Sequence, residues 1–241
     1  MQDLAERRPG FAVVDLETTG FAADRERIVE VAVVLVDVDG TETDAFCTLL
    51  DPGRDPGPTH IHGIAADMVA GAPTFGQIHP HLADLLSGRV VVGHNIVRFD
   101  LPFLLAECRR LGGDALVPAG VIEEVALPVP DPAVGEGDLP ERRRLLAGPG
   151  VLDTLAVAQD HLGLRGKARL LDCCDRYGLT WDDHHSALGD ARVTAALFGA
   201  MRDELGDDAL GLDARLDAAR QITWPGAAAG APAVVGRALT V

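Results

Sequence analysis

The chain has 241 residues, 47% of them apolar and 24% charged, enough for one well-cored domain, alone or with an insertion and a tail. Its net charge of −16 excludes a protein that coats nucleic acid by charge alone, but not an enzyme that takes a short single-stranded end into a cation-filled pocket. Neither a secretory pattern at the N-terminus nor an apolar run of membrane-spanning length is present, so a cytoplasmic location without membrane contact is expected.

Residues 1–10 read as an N-terminal extension. Residues 11–14 (F-A-V-V) form an apolar run that predicts a buried strand, and Asp15 and Glu17 follow at its end, before a Thr-Thr-Gly turn. Positions i and i+2 of a strand share a face, so the two carboxylates project side by side and repel unless a cation compensates them. Taken alone, the pair could equally be a solvated strand end. Residues 28–38 are rich in β-branched side chains and predict a second strand; Asp39-Gly40 signals a hairpin into a third over 41–50. A loop at 51–58 leads to T-H-I-H-G-I (59–64) and a short helical stretch at 66–70.

Helical spacing of Phe75, Ile78, Leu82, Leu85 and Leu86 predicts a helix over 75–86. Residues 90–92 predict another buried strand, ending in G-H-N-I-V-R-F-D (93–100), and a helix follows over 101–111 with Pro102 in its first turn. From about 117 to 150 the composition turns rich in proline and glycine, which predicts an irregular insertion or mobile loop; Arg142-Arg143-Arg144 is its one basic feature, read as a solvated face. Residues 151–162 and 170–177 read as helices, 180–185 as a loop, 187–205 as a long amphipathic helix and 209–221 as a further helix. Residues 222–241, rich in Ala, Gly and Pro, are expected to be a poorly ordered tail. The expected organisation is a single domain over 11–221, an α/β sheet layered with helices. The cysteines (Cys47, Cys108, Cys173, Cys174) form no C-x-x-C pair and read as reduced, buried residues.

Three further features bear on the opening pair. Asp100 starts a helix after a buried strand, Asp190 lies in the first turns of the long helix, and His185 precedes Asp190 by five positions. Each has an ordinary explanation: Asp100 and Asp190 could stabilise helix N-termini, and His185 could be an exposed loop residue beside His184. Their order along the chain resembles the DEDDh-type (DnaQ-like) 3′–5′ exonuclease family. Its first motif resembles V-V-D-L-E-T-T-G (13–20), its second G-H-N-I-V-R-F-D (93–100) and its third H-S-A-L-G-D-A (185–191), with I-H-G-I (61–64) and D-T-L (153–155) similar to the proofreading branch.

The resemblance spans residues 11–200 and implies a ribonuclease H-like fold, a mixed central β-sheet flanked by helices. It also implies that Asp15, Glu17, Asp100 and Asp190 hold two Mg²⁺ or Mn²⁺ ions and that His185 is the general base. Oxygen-only ligands suit such hard cations. The family's H-x4-D spacing selects His185 over His184, and the only tyrosine, Tyr177, lies outside the position used by the sister branch. By resemblance Leu16 and Thr18 meet the terminal nucleotide, His62 and Ile64 help grip the strand end, and His94 and Asn95 buttress the site; core packing is the alternative for Leu16 and Ile64, and a structural hydrogen bond is preferred for Asn95. The implied activity is release of nucleoside 5′-monophosphates from single-stranded DNA 3′ ends. The alternatives are the same chemistry on RNA ends or short oligoribonucleotides, and a non-catalytic nuclease-like binding module. The long segment between the second and third motifs departs from compact family members, and no motif identifies a polymerase or repair partner.

Overall fold

Two long runs of β-branched residues set the architecture, because strands so uniformly apolar are stable only with both faces covered. A computed structural model describes residues 10–112, 118, 120–128, 141–164, 168–180 and 186–227. In it β1 (Gly10–Thr18) pairs antiparallel with β2 (Ile28–Asp37), which pairs antiparallel with β3 (Glu42–Leu49). On the other side β1 runs parallel to β4 (Val90–Gly93), and β4 parallel to β7 (Val151–Asp153). The result is a five-stranded sheet in the order β3-β2-β1-β4-β7, mixed as the resemblance implies.

The helices α1 (Thr59–His62), α2 (Ala66–Val69), α3 (Phe75–Leu86) and α4 (Asp100–Arg110) lie in the first half of the chain. In the second half come α5 (Thr154–Asp160), α6 (Leu170–Tyr177), α7 (Ala187–Leu205), α8 (Asp207–Leu210) and α9 (Leu212–Ala219). The period of two along β1 divides its side chains between two cores. Ala12, Val14 and Leu16 join Val31, Val33 and the α3 and α4 residues Ile78, Leu82, Phe103 and Leu104 on one face. Phe11 and Val13 join Ala32, Val34 and the α7 residues Ala187, Ala191 and Phe198 on the other. The same alternation assigns Asp15 and Glu17 to the α7 face, so the strand that builds the core also aims the carboxylates.

Four expectations are corrected. Residues 151–153 are not helical: Val151 and Leu152 are buried as β7, in register with Val91 and Val92, and the helix begins only at Thr154, capped by Asp153, whose side chain accepts from the Leu155 N–H. The proline-rich insertion contains a hairpin, β5 (Ile122–Pro128) against β6 (Glu141–Ala147), with Pro128 at the strand end where a missing N–H costs least. Residues 113–117, 119 and 129–140 of that insertion lie outside the described residues. The helix expected over 209–221 is two, α8 and α9, separated at Gly211, whose φ of +60° breaks the helix.

The fourth correction concerns the tail. Ile222 and Trp224 are buried in the core beneath α3; the Trp224 N–H donates to Ser87 Oγ (2.9 Å) and the Gly88 N–H to the Ile222 carbonyl (3.0 Å). Two large apolar side chains are enough to seat a segment whose composition otherwise favours disorder. Residues 1–9 and 228–241 lie outside the described residues, and β1 already begins at Gly10. Trp224→Ala is therefore expected to cost about 3–5 kcal/mol, read as a lowered midpoint of chemical denaturation. An unchanged midpoint would show that this strap is not part of the core.

Candidate active site

The site is built where β1 runs out of apolar residues. Asp15 and Glu17, both half-buried, point toward the first turn of α7. A register shift between Glu17 and Thr18 marks a bulge in the β1–β2 ladder, a device that re-aims a strand end. In α7 the Ser186 hydroxyl accepts from the Gly189 N–H (3.1 Å) and the Ser186 carbonyl from the Asp190 N–H (3.0 Å), which fixes the turn bearing Asp190. Asp15, Glu17 and Asp190 each offer an oxygen within 4.8 Å of the others. Asp100 enters from the opposite face, on the first residue of α4, with only 3% of its surface exposed.

The electrostatics follow from crowding. Burial, then the charges of Asp100, Asp190, Glu17 and Glu30, hold the Asp15 carboxyl well above its usual range. Burial, followed by Asp190, Glu30 and Asp100, pushes Glu17 up to about 8. Burial likewise pushes Asp100 up to about 8, opposed by backbone hydrogen bonds, its own and that of Leu16. Asp100, outside the 4.8 Å group, thus belongs electrostatically to the same cluster.

The donor set fits a hard divalent cation. The three clustered ligands are all carboxylates, with no thiol or imidazole among them, and their mutual repulsion is what such a cation relieves. Asp15, Glu17, Asp100 and Asp190 are the residues that would hold it.

The surrounding turns are held by named contacts. Thr18 Oγ1 donates to the Gly20 carbonyl (2.7 Å), and Thr19 Oγ1 donates to Glu26 (2.6 Å) while accepting from the Arg27 N–H (3.0 Å). A Cβ at Gly57, where φ is +90°, would run into the Thr19 backbone, so only glycine lets the 51–58 loop close over the Thr-Thr-Gly turn. Arg27 makes a bidentate pair with buried Glu107 (2.6 and 3.0 Å), tying that turn to α4 and hence to Asp100.

Behind Asp100, Asp153 accepts from the N–H groups of Asn95 (2.9 Å), Val97 (3.3 Å) and Leu155 (3.0 Å), holding Asn95 at a φ of +64° that asparagine tolerates. His94 bonds Thr154 Oγ1 (2.9 Å) and the Ala168 carbonyl (2.7 Å), and burial lowers its pKa.

Of the residues expected to meet substrate, Leu16 is buried in the α3–α4 core, and Ile64 packs with Val29 and Val69. His62 is buried with Nδ1 accepting from the Ile64 N–H (3.0 Å), and Thr18 is buried with its hydroxyl directed back to the turn. His185 lies outside the described residues. Sequence reasoning passed over Glu30 and gave no role to Asp153. The signal for Glu30 was available: a lone acid inside I-V-E-V-A-V-V, where a charge has no place without a partner.

A mixed sheet whose central strand ends in paired carboxylates, joined by an acid from a helix on each face, defines the class of ribonuclease H-like phosphodiester nucleases. Comparison with known proteins narrows it. The sequence profile of the RNase_T family, described as exonuclease, matches residues 12–127. The chain is 32% identical to the DNA polymerase III subunit epsilon of Treponema pallidum over 79% of its own length and 75% of that protein. It belongs to the DEDDh (DnaQ-like) 3′–5′ exonuclease family.

Some relatives are far longer: the chain is 26% identical to the PolC-type DNA polymerase III of Clostridium perfringens over 81% of its own length but spans only 12% of that polymerase. Two solved structures share the fold. Exonuclease I of E. coli, in complex with a dT13 oligonucleotide, has a TM-score of 0.60 at 17% identity, over 81% of this chain and 41% of that one. The nuclease domain of 3′hExo, a DEDDh family member bound to rAMP, has a TM-score of 0.59 at 15% identity, over 80% of this chain and 92% of that one. Among the described residues no helix is long and apolar enough to cross a membrane.

The crowding has a measurable consequence. Glu17 and Asp100 keep their protons in the folded, metal-free protein up to about pH 8, whereas the unfolded chain releases them near pH 4 to 5. Between those limits the folded state binds more protons, so its stability falls as pH rises. The melting temperature of chelator-treated protein is expected to be lower at about pH 8 than at about pH 6, and Glu17→Gln to flatten the dependence. A flat or rising profile across this range would show that the carboxylates ionise near their ordinary values.

Proposed function

We propose that the protein is a metal-dependent 3′–5′ exonuclease that hydrolyses the terminal phosphodiester of single-stranded DNA and releases nucleoside 5′-monophosphates. The observation that carries this reading is the convergence of Asp15, Glu17 and Asp190 within 4.8 Å, with the Asp100 charge acting on the same cluster. Two Mg²⁺ or Mn²⁺ ions, when bound, supply Lewis acidity at the phosphate and lower the pKa of the attacking water.

The chain's own residues do the rest. The four acids hold the cations and leave the strand end little room for any other register. His185, by its H-x4-D spacing from Asp190, takes the proton of the attacking water. That oxygen bonds to phosphorus as the bond to the 3′ oxygen of the preceding nucleotide breaks, and the leaving oxygen takes a proton to become the new 3′ hydroxyl.

The Thr-Thr-Gly turn, with the backbone at Leu16 and Thr18, is the proposed seat of the terminal sugar, and His62, Ile64 and Asn95 shape its surroundings. Leu16 and Ile64 act from within the core in this reading, through the backbone that they anchor. The net charge of −16 fits short or single-stranded ends better than long duplex, since phosphate contacts outside the site find few cations. A cytoplasmic location completes the proposal, in which no particular polymerase or repair partner is identified.

The rAMP bound to the nuclease domain of 3′hExo supports a second reading, an exoribonuclease. The two differ in whether the site admits a 2′ hydroxyl. A catalytically idle binding module is disfavoured, because it has no use for buried carboxylates that repel one another.

Matched DNA and RNA oligonucleotides with free 3′ ends, incubated with Mg²⁺ or Mn²⁺, decide among them. Stepwise shortening from the 3′ end is expected, abolished in Asp15→Ala and slowed about 10²–10⁴-fold in His185→Ala. Activity that survives Asp15→Ala would overturn the metal assignment, and preference for RNA would select the second reading.

A further inference from the structure

Glu30 is a carboxylate near the cluster with no place in the metal reading. It sits inside β2, directly opposite Glu17 in the β1–β2 register, with only 8% of its surface exposed. Its neighbours on the same face of the strand are Ala32 and Val34, so an apolar residue would have served packing alone. A carboxylate across from another carboxylate is unfavourable in a sheet, and Glu30 adds to the repulsion on both Asp15 and Glu17.

What offsets this is the start of α7. Glu30 Oε2 accepts from the Ala187 N–H at 2.9 Å, and Oε1 accepts from the Cys47 thiol at 3.5 Å. Burial pushes the Cys47 thiol up to about 12, so it stays protonated and donates. Two of the four N–H groups left open at the start of a helix are thereby met: Ala187 by Glu30 and Gly189 by Ser186. One of those two acceptors, Glu30, comes from the sheet rather than from the helix's own cap. A negative charge at the N-terminus of a 19-residue helix is also favoured by the helix dipole.

Asp190 lies three residues beyond Ala187, in the turn that this junction fixes. Docking that turn to β2 sets how far Asp190 stands from Asp15 and Glu17 on the neighbouring strand. We propose that Glu30 is a positioning residue of the site, whose side-chain oxygen anchors the first turn of α7 to the sheet and so holds Asp190 against Asp15 and Glu17. The proposal rests on the metal reading of that cluster.

Mn²⁺ titration of the substrate-free protein by calorimetry tests it, with the melting temperature of the metal-free protein measured alongside. Glu30→Ala, which leaves the Ala187 N–H open, should weaken Mn²⁺ binding about 10–100-fold, the range typical of groups that orient metal ligands. Glu30→Gln keeps an oxygen for Ala187 and places an amide donor toward Cys47, so its affinity should stay within about threefold of wild type. A residue of purely structural importance would lower the metal-free melting temperature in both variants without separating their Mn²⁺ affinities.

Should Glu30→Ala fail to fold, Glu30→Met fills the same volume without an acceptor and is judged by the same criterion. The proposal is overturned if the variant without an acceptor binds Mn²⁺ as tightly as wild type, or if Glu30→Gln loses as much affinity as that variant. Wild-type protein that binds no Mn²⁺ would instead overturn the metal reading, and this proposal with it.

Discussion

Repulsion among buried carboxylates at the end of β1 is the constraint around which the structure is arranged. Asp15 and Glu17 share a face because the strand has a period of two, and that face is the one α7 covers. Asp190 comes from α7, and Asp100 from α4 on the other face. Asp100 and Asp190 raise the proton affinity of Asp15 and Glu17, and the apolar cores on both faces of the sheet hold the elements together against that cost. Local sequence alone cannot hold four such groups together.

The supports have a common logic. Charged or polar groups that touch no cation are spent on backbone N–H groups at the turns carrying the acids. Asp153 takes two N–H groups in the loop that leads to Asp100 and one at the start of α5, and Glu30 takes one at the start of the helix that carries Asp190. Arg27 and Glu107 join the turn after Glu17 to α4. A carboxylate accepting backbone N–H groups is fixed in direction, so the loops it holds inherit the rigidity of the sheet. Gly57 extends this to the neighbouring loop, which can lie on Thr19 only where no side chain intervenes.

Much of this was legible in the sequence, and the failures have identifiable causes. The apolar run ending in D-x-E gave β1 and its carboxylates, since strand period and burial both act locally. The β-branched content of 28–38 gave β2. β7 was missed because three apolar residues run straight into a helix, and only pairing with Val91 and Val92 makes them a strand. The β5–β6 hairpin was hidden by a proline-rich composition, of whose prolines Pro128 closes β5. Trp224 was passed over because composition around it is dominated by Ala, Gly and Pro, while its burial is decided by α3, over a hundred residues away in the chain. What composition averages over, a single large side chain can reverse.

Glu30 shows a different limit. Its sequence context marks it as anomalous, a charge inside an apolar strand, but the sign of the anomaly needs three dimensions. Opposite Glu17 alone it would be a defect; beneath the first turn of α7 it becomes an acceptor that the helix requires. The same carboxylate therefore disfavours the empty cluster through its charge and shapes the cluster through its oxygen. Because charge and acceptor reside in one group, an apolar replacement would ease the repulsion yet release the helix that carries Asp190, whereas an amide would ease it and keep the helix in place. That an acid stands there shows that the strand tolerates the repulsion, and the reason lies in the helix it faces: nineteen aligned peptide units whose positive end offsets part of the cost of a buried negative charge.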